Sequence, residues 1–223
     1  MIKTNISAVI LAAGSGSRLG GENKALLTIG DKTFLQQAIN LFDGEVDEII
    51  VTYLDDYEPQ NLVVETKVKF VKGGETRQES FANALSLVKG KTVVVHEVAR
   101  PLVTKTLLKK IIQASKSNLA VCLAGKIKAR DSLAYVDGGY IGNSINRDNL
   151  FCIQTPQSYD VKMLLAVFQQ AKSESWFEQS LVPLVKRANI DVYTVINNRE
   201  NIKATYPEDI KLINKIWLQN EQD

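Results

Sequence analysis

A mostly parallel, twisted α/β sheet with helices on both faces is the fold this sequence predicts, and three observations predict it. Short apolar runs of strand length alternate with segments of helical period along most of the chain, the pattern of βαβ units. The first run leads straight into a cluster of glycines, Gly14, Gly16, Gly20 and Gly21, as expected where a buried strand turns towards a helix. One stretch, residues 126–149, breaks the alternation. It has no helical period and turns at Asp137-Gly138-Gly139, which reads as an inserted β-hairpin.

Taken in order, residues 6–11 (ISAVIL) form an almost continuous apolar run, expected of a strand buried on both faces. Residues 33–42 place Phe34, Leu35, Ala38, Ile39, Leu41 and Phe42 at helical spacing behind Thr33, a suitable cap. A second strand is expected over 46–53 and a weaker, more polar one over 63–71, ended by Gly73-Gly74. Residues 75–88 read as a helix with Phe81, Ala84, Leu85 and Val88 on one side. A strand at 92–96, a helix at 105–115 and a strand at 120–123 follow. Within the hairpin, strands are expected at 133–136 and 140–145. Beyond it come helices near 160–171 and 178–187, a strand at 191–196 and a last helix opening at Pro207, a good first helical residue. Right-handed crossovers place helices on both faces of such a sheet. One Rossmann-like domain over residues 1–223 with an arm at 126–149 is the simplest account. The arm reads equally as a platform for a partner or as a surface β-excursion.

Composition bounds the function. Lys and Arg number 27 against 25 Asp and Glu, a near-balance that argues against coating nucleic acid or a membrane while allowing a local cationic pocket. Cys122 and Cys152 stand far apart and His96 is the single histidine. A disulfide framework, a cysteine zinc site and a multi-histidine metal site are therefore not expected, and a reducing cytoplasmic home is. The amino-terminal residues lack the apolar run of a signal peptide, and no stretch reaches 18 consecutive apolar residues.

The densest chemical signal is residues 11–24, LAAGSGSRLGGENK. Glycines after a buried strand let backbone N–H groups approach an anion. A dinucleotide fingerprint needs G-x-G-x-x-G, but Leu19 holds the third position and Gly20 falls one residue late. A P-loop needs Gly-Lys-Ser/Thr, which the chain lacks. What remains is a glycine-rich turn followed by Arg18 and Lys24, a pair suited to balancing a triphosphate during bond breaking. The plain alternative is a strand-to-helix turn with solvated charges. Three further clusters lie at strand ends or before a helix: Gly73-Gly74-Glu75-Thr76-Arg77-Gln78-Glu79-Ser80, His96-Glu97-Val98-Ala99-Arg100-Pro101, and residues 201–209 around Lys203. Ligands of open α/β sheets bind outside the carboxyl ends of the strands. Taken singly, His96 reads as a packed or capping residue, and Glu97 can simply pair with Arg100.

The order A-A-G-x-G-x-R-x-G…K, G-G-x-x-R-x-x-S, H-x-x-A-R-P, T-P-Q and N-I-K-x-T-x-P-E-D resembles the methylerythritol phosphate cytidylyltransferases and the related ribitol phosphate cytidylyltransferases. The resemblance runs from Ser7 to about Leu212 and implies a nucleotide-diphospho-sugar transferase-like fold. It implies that Ala12, Ala13, Gly14, Ser15 and Gly16 wrap the CTP phosphates and ribose, and that Arg18 and Lys24 are the catalytic cations. Gly74 and Ser80 would read cytosine, Gly74 through its backbone, while Arg77 holds the loop. Glu97 would lie between ribose, metal and acceptor. Arg100, Ser132, Arg147, Thr155 and Lys203 would meet the acceptor, a polyol phosphate. Mg²⁺ is the implied cofactor, and a homodimer through the arm is implied, with Arg147 acting in the neighbouring subunit's site.

The chain departs from the family at three places. Aspartate is usual where Glu97 stands, and one more methylene moves the carboxylate about 1.5 Å outward. Ser132 stands where threonine is usual and keeps the hydroxyl. Trp176-Phe177-Glu178 replaces a polar, acidic segment, and an apolar pair there is expected to reshape the acceptor pocket. The implied reaction is CTP transfer onto 2-C-methyl-D-erythritol 4-phosphate, in isoprenoid precursor biosynthesis. The alternatives are the same transfer onto ribitol 5-phosphate or another polyol phosphate for a cell-wall or capsule precursor, and a catalytically idle nucleotide-binding regulator.

Overall fold

Residues 4–54, 62, 64–129 and 131–220 are described by a computed structural model. Strand β1 (Ile6–Leu11) leads through the glycine turn and a one-turn 3-10 helix, Ser17–Leu19, to a small ribbon of β2 (Thr28–Ile29) and β3 (Lys32–Thr33). Then follow α1 (Phe34–Phe42), β4 (Glu48–Tyr53), β5 (Lys67–Lys72), α2 (Arg77–Leu85), β6 (Thr92–Glu97), α3 (Lys105–Ser115) and β7 (Ala120–Lys126). The arm is β8 (Leu133–Asp137) and β9 (Tyr140–Ile145). After it come β10 (Phe151–Asp160), α4 (Val161–Ser173), α5 (Leu181–Arg187), β11 (Tyr193–Asn197) and α6 (Pro207–Asn220).

Seven strands form one sheet in the order β11-β7-β10-β6-β1-β4-β5. Its pairs are parallel except those of β10, which runs antiparallel to both β6 and β7. Alternation along each strand sends side chains to opposite faces. Ala8 and Ile10 of β1, Ile49 and Val51 of β4 and Val94 of β6 pack with α1 and α3 on one face. Val9, Ile50, Val93 and Val95 pack with Phe81 of α2, Leu164 of α4 and Val185 of α5 on the other. The continuous apolar runs are thus explained by burial on both sides.

Helix starts follow cap chemistry more closely than apolar spacing. Helix α1 begins after Thr33, whose hydroxyl accepts the Gln36 N–H at 3.1 Å. The helix expected from residue 75 begins at Arg77, because Thr76 and Glu79 form a reciprocal capping box. The helix expected from residue 178 begins at Leu181, leaving Trp176, Phe177 and Glu178 in the preceding loop. The strand expected over 63–71 is observed as β5 from Lys67, and its first expected residue, Val63, lies outside the described residues.

Strand β10 is absent from the sequence expectation. It carries Gln154, Thr155, Pro156, Gln157 and Ser158 in its middle, a polar run that reads as a loop. Thr155, Gln157 and Ser158 are nevertheless buried, held between β6 and β7. The arm also starts later than expected, since β7 continues to Lys126. Its hairpin forms a sheet of its own, with Tyr140 82% and Ile141 81% exposed.

Candidate active site

The carboxyl ends of β1, β4, β5 and β6 share one edge: Leu11 pairs with both Thr52 and Glu97, and Tyr53 pairs with Lys72. From β1 the chain builds outward to β4 and β5, then returns to β6 on the other flank, so the crevice opens where the strand order reverses. A cleft of about 520 Å³ lies there.

The glycine turn forms one wall, with Ala13, Gly14, Ser15, Gly16 and Arg18 on the surface of the cleft. Gly16 has φ +61°, and a Cβ on it would stand 1.9 Å from the Glu22 carbonyl oxygen. Only a residue without a side chain closes this turn. Ala12 is placed differently from expectation: it is buried, and its N–H donates to Thr52 Oγ1 at 3.1 Å, tying the loop to β4. Leu19 plugs the far side of the turn into the core.

Both implied catalytic cations face the cleft. Arg18 lies over the Tyr206 ring, 5.6 Å from its centre. Lys24 Nζ donates to the Ala204 carbonyl at 2.7 Å. Burial and the neighbouring charges of Lys203 and Arg18 lower its pKa, which marks a strongly positive corner.

Gly74 and Ser80 stand together in the opposite wall. The Gly74 N–H donates to Ser80 Oγ at 3.0 Å, and that hydroxyl donates to the Thr76 carbonyl at 2.9 Å. In this state the two residues hold each other, so the Ser80 hydroxyl shapes the loop. Gly73 packs beneath, where a Cβ would meet the Ala13 Cβ at 2.4 Å. The two glycine segments therefore interlock.

Glu97 is the hub of the remaining wall. Arg77 Nη1 reaches its Oε1 at 2.9 Å, Arg100 Nε reaches its Oε2 at 3.0 Å, and Lys203 Nζ also pairs with Oε1. Burial raises the carboxyl pKa, but Arg77, Lys203 and Arg100 together outweigh it and hold it at about 2. The added methylene of glutamate is used to reach cations. Both oxygens pair with cations, so a metal at Glu97 would have to share them. Among the described residues no cluster of three or more histidine, cysteine or acidic side chains is suited to a metal.

The other acceptor residues divide. Arg100 also donates to the Asn201 carbonyl at 2.7 Å. Thr155 is buried beneath the cleft rather than in it: its hydroxyl oxygen accepts the Glu97 N–H at 3.0 Å and lies 3.2 Å from His96 Nδ1. It thereby fixes the hub from below. Ser132 and Arg147 lie in the arm, away from this chain's cleft, where Arg147 Nη1 donates to the Ala129 and Asp131 carbonyls, each at 2.9 Å. His96 is the packed residue its surroundings suggest. It lies edge-on to Phe42, and burial lowers its pKa to about 4.

Trp176 and Phe177 do not line the cleft, correcting the expectation that they reshape it. Trp176 packs under the Arg187 guanidinium, and the Gln78 amide bridges the Trp176 carbonyl and Glu178 N–H. Sequence reading missed Thr52, Leu54 and Val98, which do line the cleft. Strand-end position was the available signal for all three.

A glycine turn at the strand ends, cationic side chains on the cleft and a mostly parallel sheet are the features of a nucleotidyltransferase, and similarity to known proteins places the chain in that class. The family model described as "IspD: 2-C-methyl-D-erythritol 4-phosphate cytidylyltransferase" matches residues 6–219, and the chain belongs to that family. A relative named 2-C-methyl-D-erythritol 4-phosphate cytidylyltransferase, from Aquifex aeolicus, is 34% identical over 94% of this chain and 96% of its own. The crystal structure of the enzyme of that name from Thermus thermophilus superposes with a TM-score of 0.81 at 27% identity, covering 95% of this chain and 98% of the other. That of 4-diphosphocytidyl-2C-methyl-D-erythritol synthase from Anaerococcus prevotii gives 0.80 at 28% identity, covering 96% of each chain.

Proposed function

We propose that this protein joins CTP and 2-C-methyl-D-erythritol 4-phosphate to give 4-diphosphocytidyl-2-C-methyl-D-erythritol and diphosphate, a step of isoprenoid precursor biosynthesis. The observation that carries the reading is one cleft with two cationic halves. Arg18 and Lys24 stand beside the glycine turn, and Arg77 and Lys203 line the cleft around Glu97, which Arg100, itself not lining the cleft, also pairs with. Each half suits one phosphate-bearing substrate. Family membership and the names of the relatives favour methylerythritol phosphate over ribitol 5-phosphate or another polyol phosphate.

In the reaction, an acceptor phosphate oxygen forms a bond to the α-phosphorus of CTP, and the bond from that phosphorus to the bridging oxygen breaks, releasing diphosphate. No general base is needed, because a phosphate monoester is already anionic at pH 7. The chain's part is to bring two anions together and offset their charge. Arg18 and Lys24 take the triphosphate, Lys203 takes the acceptor phosphate, and Gly74 with Ser80 fits the small cytosine ring. A magnesium ion, if bound, would keep several waters and be held by one or two carboxylates, Glu97 being the candidate, together with the substrate phosphates, supplying further charge neutralisation. Diphosphate release from CTP tests the reading, with methylerythritol, ribitol and glycerol phosphates as acceptors. Turnover with the first is expected, and release only with another acceptor overturns it.

The arm is proposed to make a homodimer with shared sites. An isolated two-stranded hairpin is marginal in water, and this one exposes Tyr135, Val136, Tyr140 and Ile141. Mixing Arg147→Ala with Lys24→Ala chains is expected to restore part of the activity, since one site of the heterodimer stays intact. Subunit exchange without rescue overturns the shared site. A cytoplasmic home accords with two free cysteines, and no helix among the described residues is long and apolar enough to cross a membrane.

A further inference from the structure

Lys203 and Arg100 act at the hub only if the segment between β11 and α6 holds its course, and the hydrogen bonds of that segment converge on one side chain outside the cleft. Gln154, on β10, accepts Asn197 Nδ2 at 3.3 Å and Asn201 Nδ2 at 3.1 Å, both on its Oε1. The same Asn201 amide donates to the Thr155 carbonyl at 3.1 Å, and the Asn201 carbonyl receives Arg100 Nη1. Gly125 on the adjacent strand leaves room for the Gln154 amide, since a Cβ there would stand 2.6 Å from its Nε2. Asn197 and Asn201 are 3% and 4% exposed, so these amides have no water in which to recover lost bonds. Two residues beyond Asn201, Lys203 meets Glu97.

We propose that Gln154 and Asn201 are positioning residues for the acceptor half of the site, holding residues 197–203 so that Lys203 and Arg100 converge on Glu97. Neither lines the cleft, and neither does Arg100, so their influence on substrate passes through Lys203. The walls of the nucleotide half are fastened by the Ala12–Thr52 and Gly74–Ser80 bonds, and it meets the same segment only further along, where Lys24 bonds the Ala204 carbonyl and Arg18 lies over Tyr206. A fault at Gln154 should therefore be felt more by the acceptor than by CTP. The assignment rests on the reading that Lys203 meets the acceptor phosphate.

The test compares Gln154→Met, which keeps the bulk and loses the acceptor oxygen, with Gln154→Glu, which keeps the oxygen. For Gln154→Met the KM for methylerythritol phosphate is expected to rise at least roughly tenfold, since both hydrogen bonds accepted by the Gln154 Oε1 are lost. Its kcat and the KM for CTP should stay within about twofold of the parent. Gln154→Glu is expected to restore the acceptor KM. In a Lys203→Ala background Gln154→Met should add nothing, as neighbours acting through one group are not additive. Equal rises for both substrates, or full additivity with Lys203→Ala, overturn the assignment. If Gln154→Met does not fold, Asn201→Asp, of the same size but without the two donors, carries the same expectation. Failure of both to fold makes the pair a stability element and also overturns it. Calorimetric binding of methylerythritol phosphate and of CTP reads the same split without turnover. A parent that binds both but releases no diphosphate therefore refutes the proposed reaction, while a missing split refutes only the positioning role.

Discussion

The two halves of the cleft are built from different materials. The nucleotide half is mostly main chain: two glycine segments interlock, and Gly16 and Gly73 are defined by the side chain they lack. The acceptor half is mostly side chain: one carboxylate gathers three cations from three separate segments. On the proposed reading a backbone-built wall would meet what every nucleoside triphosphate shares, its phosphates, and it tolerates few substitutions. A charge-built wall can be retuned one side chain at a time, which is where specificity for an acceptor can change without rebuilding the loop.

The largest expected effect is in the corner where the halves meet. Lys24→Ala should lower turnover about 10²–10³-fold, the usual cost of one electrostatic donor. The circular dichroism spectrum should stay unchanged, because among the described residues the hydrogen bond of the Lys24 side chain is to the Ala204 carbonyl alone. Parent-like turnover would remove Lys24 from the reaction. Next comes the hub. Glu97→Gln leaves Arg77, Arg100 and Lys203 without their buried counter-charge, and such breaks cost about 3–5 kcal/mol, readable as a fall in the denaturation midpoint. If stability is unchanged, the acceptor half does not depend on that carboxylate.

Acidification separates the hub from its floor. His96 has its pKa lowered to about 4 by burial, so its neutral form stabilises the fold above pH 6.5, and that contribution drains away as pH falls through 4. Glu97, held at about 2, contributes above pH 4.5 and loses its share as pH falls towards 2. Denaturation midpoints should therefore begin to drop below pH 6.5 and drop further below 4.5. His96→Gln should flatten the first decline, and Glu97→Gln should lessen the second, which Asp43 and Glu48, whose pKa values are also lowered, share. A first decline that survives His96→Gln would mean another group drives it. The smallest effect is expected at Ser80→Ala, which frees the Gly74 N–H. About 1 kcal/mol of loop stability is lost, so the KM for CTP should rise several-fold while the acceptor KM holds.

The contrast also explains what the sequence disclosed. Parallel strands buried on both faces announce themselves as apolar runs, and ISAVIL and TVVVH were legible for that reason. The glycine turn and the cations of four clusters were legible because strand ends in such sheets face ligand. Strand β10 was hidden by its polar middle, whose main chain pairs with β6 and β7 and whose Gln154 side chain and Thr155 carbonyl take up the Asn201 amide. The Glu97 hub was only partly legible. Arg100 is a sequence neighbour, but Arg77 and Lys203 reach the carboxylate only once β5, β6 and the β11–α6 connection are assembled. Thr155 matched a family position, yet nothing in the chain order says that it lies under the site.

Strand β10 serves two masters, and the irregularity in its middle keeps them apart. Residues 151–154 pair with β7 at the root of the arm, and the register shifts before Gln157, after which the strand is locked between β6 and β7 with Tyr159 in the core. A one-residue slip in an uninterrupted strand would turn every buried side chain to the wrong face, and a bulge absorbs such a slip locally. Insertions and deletions at the root of the arm can therefore accumulate without dragging Thr155 from beneath Glu97 or Tyr159 out of the core. The tip of the arm can thus change in length where it touches no partner, while the floor of the site keeps its place.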